Sequence, residues 1–465
     1  MGGMLGRLLR PWRLWHVREG SCDITLEWHN RLPLFVIGLL LVLELALSSR
    51  AWLTLLLGFS CLLVIAGWWA WKLARGVRIS REVRYHLVQA GDLLEERFRL
   101  TNTSFLPTMW VELRDHSDIP GYSASTVRTV GGQAEYRWVM RGECRQRGEY
   151  YLGPWEAITW DPFGLFAVVQ RCRAYESLLV YPSIARQLPF PLPRGLTSGW
   201  AHISRRSQDP TVNVGGVRAY SPGDPRHHIH WPTTARRDRL YSKEFDQETG
   251  GDVWLVVDLN QGAHSGSGER STEELAITVA SSVAALMLDA RRAVGLIAYG
   301  AQQLTVMPER GRGHLWKLLQ GLARARSVPE NPLERVLEGA ARVMPTGSTA
   351  LVITPALEPT WLPGLVRLQG QGVGTAAVLV DRDSFAAEEA LGADRADEDA
   401  DTAWQQRRSR VEALRGLLAD AGVSSEIIGA DTPLVLRPPT GRLRRWEFKV
   451  LGTGRVIAVS TPWGE

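Results

Sequence analysis

The stretch VWLVVDL, residues 253–259, is an apolar run that carries one carboxylate, Asp258. An unbroken run of this kind reads as a strand covered on both faces, as in a parallel sheet. The chain beyond it alternates. STEELAITVASSVAALMLDARR (271–292) has helical character and AVGLIAYG (293–300) reads as a strand. HLWKLLQGLARAR (314–326) and PLERVLEGAARVM (332–344) read as helices, and TALVITPA (349–356) as a strand. PTWLPGLVRLQGQG (359–372) is followed by a strand, GTAAVLVD (374–381), and a helix, TAWQQRRSRVEALRGLLADAG (402–422). Strands alternating with helices predict a doubly wound α/β domain, placed at 253–465. Residues 383–401, acidic and rich in Ala, read as a loop, and WEFKVLGTGRVIAVST (446–461) as a hairpin around Gly452-Thr453-Gly454.

Upstream, residues 183–252 lack periodicity and hold ten Lys and Arg between 186 and 244 against four Asp and Glu. The net charge of the whole chain is +5, so its basic excess is concentrated here, and a basic surface attracts an anionic partner. Within this segment YSPGDPRHHIHWPTTARR (220–237) admits three readings. As a metal site, His228 and His230 would share one face of a strand while His227 points away. As a nucleic-acid clamp, the Arg side chains would meet phosphates and Trp231 or Tyr220 would stack on bases, although no nucleic-acid fold signature is present. As a protein-docking surface, a Pro222-Gly223-Asp224 turn leads into a strand that packs Ile229 and Trp231 inward and leaves Arg226, Arg236 and Arg237 outside. The third reading is favoured, and no nucleic acid is expected as a partner.

Residues 77–182 carry short runs rich in β-branched and aromatic residues, separated by Gly, Pro and Asn turns, which predicts an antiparallel β-sandwich of the immunoglobulin-like kind. No nucleophile, base and acid cluster in it, which suits a spacer or interaction module. Ahead of it stand two apolar runs, LPLFVIGLLLVLELALSS (32–49) and AWLTLLLGFSCLLVIAGWWAW (51–71), parted by Arg50. Each approaches the length needed to cross a bilayer, and Trp52, Trp68, Trp69 and Trp71 sit where interface anchors belong. Residues 32–71 therefore read as a two-helix transmembrane hairpin. Arg7, Arg10, Arg13, Arg18 and Arg31 precede it, and Lys72, Arg75, Arg78, Arg81 and Arg84 follow. By the positive-inside rule both termini and the soluble domains are expected in the cytoplasm, with residues 1–31 a basic cytoplasmic segment. The four cysteines, Cys22, Cys61, Cys144 and Cys172, show no pair spacing, so neither a zinc site nor a disulfide is expected, and cytoplasmic thiols stay reduced.

The pattern Arg218-x-Tyr220-x-Pro222-Gly223-Asp224, then Ile229-x-Trp231, Ala235-Arg236 and Lys243-Glu244-Phe245, closely resembles the signature of the domain-of-unknown-function-58 family. The family usually has Arg three positions after the Asp, where this chain has His227. The hairpin, the DPFGLF end of the β domain and the VYP segment also resemble its membrane-bound members. The resemblance implies a von Willebrand factor A-like α/β domain. It also implies an association with MoxR-type AAA+ ATPases and with transglutaminase-like membrane proteins, whose genes commonly lie beside those of the family. Von Willebrand A domains hold a divalent cation through Asp-x-Ser-x-Ser, a Thr and an Asp. Here the first loop reads Asp258-Leu259-Asn260-Gln261-Gly262 and the later strand Val352-Ile353-Thr354-Pro355, leaving Asp258 and Asn260 as a degenerate remnant. No tight Mg²⁺ and no other cofactor is expected, and Asp258 reads as a carboxylate capping its loop.

No P-loop, G-x-S-x-G, H-E-x-x-H or dinucleotide fingerprint occurs, so no enzymatic activity is expected. The expectation is a two-pass protein of the bacterial inner membrane, in contact with membrane lipid. It would act as a non-enzymatic, membrane-anchored cytoplasmic scaffold or adaptor working with a MoxR-type AAA+ ATPase in the assembly or remodelling of other proteins. Its docking signature would be Arg218, Tyr220, Gly223, Asp224, Arg226, His227, Trp231, Arg236 and Arg237. The alternative is a binding module that grips its ligand through a divalent cation.

Overall fold

The computed structural model describes residues 12–47, 49–83, 87–191, 214–221, 226–245, 251–329, 331–385, 400–436, 444–450 and 456–462. The chain forms two compact units, Met1–Tyr181 with Pro438–Glu465, and Pro182–Arg437. The hairpin near the C-terminus, read from the sequence as part of the α/β domain, thus groups with the first unit.

The first unit opens with a β-hairpin, β1 (Trp12–Glu19) and β2 (Cys22–Trp28), where the sequence suggested only a basic tail. Two helices follow, α1 (Leu32–Leu47) and α2 (Arg50–Gly76). By length and composition α2 can cross a bilayer, whereas α1 is apolar but shorter. Nine strands continue through β3 (Val77–Val83), β4 (Leu87–Gln89), β5 (Leu93–Asn102), β6 (Val111–Asp115), β7 (Thr126–Arg128), β8 (Ala134–Glu143), β9 (Gly148–Leu152), β10 (Trp155–Trp160) and β11 (Phe166–Cys172), and β12 (Glu176–Tyr181) closes the run. One sheet has the order β1-β2-β11-β10-β6-β7; two smaller ones are β3-β5-β8 and β4-β12-β9. Ile24, Leu113 and Val168 from the large sheet share one buried core with Phe98, Leu100 and Trp138 from β5 and β8, which makes the unit a sandwich. Arg81 on β3 is buried between Glu96 (2.7 Å) and Asp115 (2.9 Å), and Tyr122 donates to Glu96 (2.6 Å), so the charges are paired and hydrogen-bonded as burial requires.

The last turns of α2 belong to this core. Ala66, Ala70, Leu73 and Ala74 are buried in it, so one helix runs without a break from its exposed apolar length into the sandwich. Gly76 ends it where a Cβ would lie 2.7 Å from the Ser104 backbone nitrogen. Cys22 and Cys172, opposed across β2 and β11, are joined by a disulfide with their Cα atoms 4.1 Å apart. This corrects the expectation of unpaired thiols at both positions. The pair is 150 residues apart in sequence and meets only because the N-terminal hairpin joins the sheet. Cys144 is a buried free cysteine and Cys61 an exposed one.

The second unit begins with β13 (Ala185–Gln187), β14 (Val214–Ala219), the short helix α3 (Trp231–Arg237) and β15 (Tyr241–Phe245). Its body contains β16 (Val253–Val257), the two-residue strands β17 (Gly266–Ser267) and β18 (Arg270–Ser271), α4 (Thr272–Asp289), β19 (Val294–Tyr299) and β20 (Gln303–Glu309). Then come α5 (Arg312–Arg324), α6 (Leu333–Val343), β21 (Thr349–Thr354), α7 (Leu362–Gly370), β22 (Gly374–Val380), α8 (Ala400–Asp420), β23 (Ser424–Ile428) and β24 (Val435–Leu436). The first unit's closing hairpin is β25 (Arg444–Val450) and β26 (Val456–Pro462), paired antiparallel, with the Gly452-Thr453-Gly454 turn outside the described residues.

The central sheet has the order β20-β19-β16-β21-β22-β23, parallel throughout except for the antiparallel edge strand β20. All five residues of β16 are buried, as the opening run requires. Two apolar cores cover its faces, one holding Val283 of α4 and Leu318 of α5, the other Leu337 of α6, Leu365 of α7 and Leu414 of α8. The sheet is therefore doubly wound. Edge strand β20, which alternates half-buried and exposed positions, and β23 are additions to the strands read from the sequence.

Candidate functional site

In a doubly wound sheet the strand order reverses beside the first strand, and ligands bind outside the carboxyl ends of the strands at that point. Here the reversal lies between β16 and β21, and Asp258 and Thr354 stand at their ends. Asp258 is fully buried. One of its carboxylate oxygens accepts the Asn260 N–H at 3.0 Å, and the other accepts the Thr354 hydroxyl at 2.6 Å. Thr354 Oγ1 in turn accepts the Ala356 N–H at 2.9 Å. His264 Nε2 lies 3.0 Å from the Asp258 carbonyl oxygen and Nδ1 lies 2.9 Å from the Thr272 hydroxyl. A carbonyl only accepts, so Nε2 carries a proton. Burial pushes the Asp258 carboxyl above the usual carboxylate range, against the opposing pull of the Thr354 hydrogen bond, the Asn260 N–H and His264.

Asn260, the other half of the expected remnant, turns its side-chain oxygen to the Gly262 N–H at 3.3 Å. It serves its own loop and does not converge with Asp258 on a common point. Among the described residues no group of three or more His, Cys, Asp and Glu side chains is placed to hold a metal ion. A hard divalent cation needs several oxygen ligands, and the Asp258 carboxylate is already engaged on both oxygens. His264 and Thr272 were not singled out in the sequence, because an isolated His in a loop carries no spacing signal.

The basic signature is a separate construction. β14 and β15 pair antiparallel from Val214↔Phe245 to Ala219↔Tyr241, and the loop between them carries a 3-10 turn, Arg226–His228, followed by α3. Ile229 is buried and bridges Ser242, as expected. Trp231 is not: it is 65% exposed. The expected inward-facing strand is replaced by a helix that starts at Trp231. His230 caps it through Nδ1, which accepts the Thr233 N–H, and Pro232 occupies its first turn. Pro favours such a position because the first N–H groups of a helix lack partners anyway. Asp238, in the left-handed region at φ 53°, ends the helix.

The three histidines do not converge on one point, although the His227 and His228 rings meet edge-on with centroids 4.3 Å apart. His227 is exposed, His228 is buried and His230 is committed to the cap. Arg226, Arg236 and Arg237 are exposed together with Trp231, and Arg237 lies over the Tyr241 ring at 5.7 Å. Arg218 and Tyr220 are half-buried on the β14 side, while Gly223 and Asp224, with the rest of the expected turn, lie outside the described residues. The product is a short, exposed helix bearing one large aromatic and two guanidinium groups, with Arg226 in the turn before it.

The family-model match falls on this unit. Residues 216–411 match the family described as "Protein of unknown function DUF58". "Uncharacterized protein YeaD" of Bacillus subtilis (strain 168) is 24% identical over 56% of this chain and 65% of its own length. "Uncharacterized protein Rv1480" of Mycobacterium tuberculosis (strain ATCC 25618 / H37Rv) is 26% identical over 33% of this chain and 50% of its own length. The chain thus spans between half and just under two thirds of these curated relatives. Among solved structures, the CARDB domain of the PF1109 protein from Pyrococcus furiosus is 12% identical, covering 23% of this chain and 89% of that one with a TM-score of 0.17. A likeness so slight carries no structural conclusion. The signature residues lie inside the matched segment, so motif and family model agree that residues 216–411 carry the DUF58 pattern.

Proposed function

We propose that this protein is a non-enzymatic, membrane-anchored scaffold or adaptor whose second unit docks an acidic surface on a partner protein. The observation that carries the reading is the exposed helix α3, with Trp231 and the guanidinium groups of Arg226, Arg236 and Arg237 around it. Trp and Arg are the residue types that dominate binding hot spots, and Arg meets carboxylates in bidentate fashion. The family resemblance supplies the partner, a MoxR-type AAA+ ATPase, with a transglutaminase-like membrane protein as a further associate. The strand order and antiparallel edge of the central sheet support a von Willebrand factor A-like fold for the unit. The engaged carboxylate of Asp258 favours docking over the cation-dependent alternative.

We place the protein across the bacterial inner membrane as a two-helix hairpin with the soluble units in the cytoplasm. Both ends of the α1–α2 pair attach to one sandwich, β2 before it pairing with β11 and β3 following α2 directly, which supports an even number of crossings. The basic flanks support the cytoplasmic side. Capture of the purified ATPase by the detergent-solubilised full chain across a salt series tests the docking role. The R226A/R236A/R237A variant is expected to fold normally, to lose most of the capture and to show a flattened salt dependence. Unchanged capture by the folded variant overturns the reading.

A further inference from the structure

The β sandwich has two ends, and one of them carries Phe side chains that the described residues leave about half-exposed. Loop 103–110 joins β5 to β6. Its alternate residues Ser104, Leu106 and Thr108 are buried, and Phe105 and Met109 point out. The loop is held by its own hydrogen bonds: Asn102 Nδ2 donates to the Leu106 and Gly131 carbonyls, and Thr108 exchanges two bonds with the Val130 backbone. Loop 161–165 joins β10 to β11. Buried Asp161 accepts the Phe163 and Phe166 N–H groups, and Gly164 takes φ +67°, leaving Phe163 at the tip. Phe105 is 55% exposed and Phe163 50%. Two rigid loops thus hold Phe side chains outward and cannot fold them in, an arrangement that calls for an apolar or interfacial surrounding.

Both loops meet α2 at one level. Phe105 contacts Trp68, with ring centroids 5.6 Å apart, and the Phe166 ring at the foot of the second loop lies against Gly67. Residues 50–67 rise about 27 Å at about 1.5 Å each, close to the roughly 30 Å of a hydrocarbon core, so the level of Gly67 and Trp68 is where a span starting at Arg50 would leave it. α1 begins at the same end, since the His29 and Asn30 N–H groups both donate to the Leu165 carbonyl. Cations gather there too. Lys72 lies 5.9 Å from the Phe105 ring centroid, and Arg75 stands over Trp71 at 4.4 Å. Aromatic rings beside Lys and Arg at one depth match the headgroup region of an anionic bilayer.

We propose that this end of the sandwich is itself seated in the headgroup layer of an anionic membrane, with Phe105 and Phe163 inserted among the lipids. The β domain is then docked on the bilayer, and the span of α2 ends near Trp68, with its last turns inside the sandwich above the membrane. This inference rests on reading α2 as a membrane span, and the test separates the two. A fluorescent amino acid replaces Phe105, Phe163, Leu57 in the middle of the span, or Arg145 in the full chain. The protein is reconstituted into vesicles of phosphatidylcholine and phosphatidylglycerol that carry spin-labelled lipids. Arg145 follows β8 at the opposite end of the sheet, about 30 Å along β5 at about 3.3 Å per residue. Quenching by a label near the headgroup is expected to be several-fold stronger at 105 and 163 than at 145, with 57 quenched by a label deep in the chain. Quenching at 57 without quenching at 105 and 163, or at only one of those two, overturns the seating while leaving the span intact. No quenching at 57 overturns the span and the seating with it.

Discussion

A buried aspartate held by a threonine hydroxyl and a backbone N–H behaves differently from one that waits for a cation. Burial favours the neutral form of Asp258 more in the folded chain than in the unfolded one, so the folded state keeps its proton to higher pH. Its contribution to stability is therefore greatest below the unfolded value of about 3.9 and is lost as pH rises through the raised folded value. Asp258→Asn keeps an oxygen for the Asn260 N–H and offers an amide to Thr354. It is expected to flatten this pH slope and to leave stability at neutral pH equal to or above that of the natural protein. Denaturant titrations from acid to neutral pH check it, and a variant less stable at neutral pH would show that the ionised carboxylate matters. At Trp231 exposure reverses the effect expected of a core residue. Trp231→Ala should change unfolding free energy by no more than about 0.5 kcal/mol, as at most surface sites, while weakening partner capture. Ile229 was legible as an inward residue because it is the one aliphatic side chain in the run from Arg226 to Trp231. Trp231 was misread because strand alternation was extended across His230, although Pro232 just inside the helix start was a signal for the helix that formed.

Among the elements, α2 ties the apolar N-terminal part to the sandwich. Leu73 is completely buried on its last turns among residues of both sheets. Leu73→Ala is expected to cost about 2–5 kcal/mol, read as a lowered midpoint when the detergent-solubilised sandwich is unfolded. A loss below that range would mean that the helix end packs only loosely on the sheets. The inner parallel strands β16, β19, β21 and β22 were legible because strands buried on both faces are uninterrupted apolar runs. β20 was not, since an edge strand with one face half-covered has a weak and partly polar alternation, seen in QLTVMPE. The β1–β2 hairpin was hidden for another reason. Its Arg content reads as a basic segment ahead of the helices, and its place in the sheet depends on β11, far along the chain.

At the scale of the whole molecule, the Cys22–Cys172 pair reports the compartment. A cytosol keeps such pairs as thiols, whereas an oxidising compartment preserves the bond. With the soluble units in the cytoplasm, this apposed pair is held reduced in the cell and closes only on oxidation, so acid-quenched cells treated with an alkylating reagent under denaturing conditions should yield a chain modified at all four cysteines. A chain modified only at Cys61 and Cys144 would place the sandwich on the oxidising side. The docking claim is tested most directly inside the cell. A photoreactive phenylalanine analogue placed at position 231 of the full chain is irradiated in living cells, and its adduct is identified by mass spectrometry. The account predicts one dominant adduct with a MoxR-type AAA+ ATPase, lost when Arg226, Arg236 and Arg237 are replaced by Ala. An adduct with nucleic acid, or no protein adduct at position 231, would contradict it.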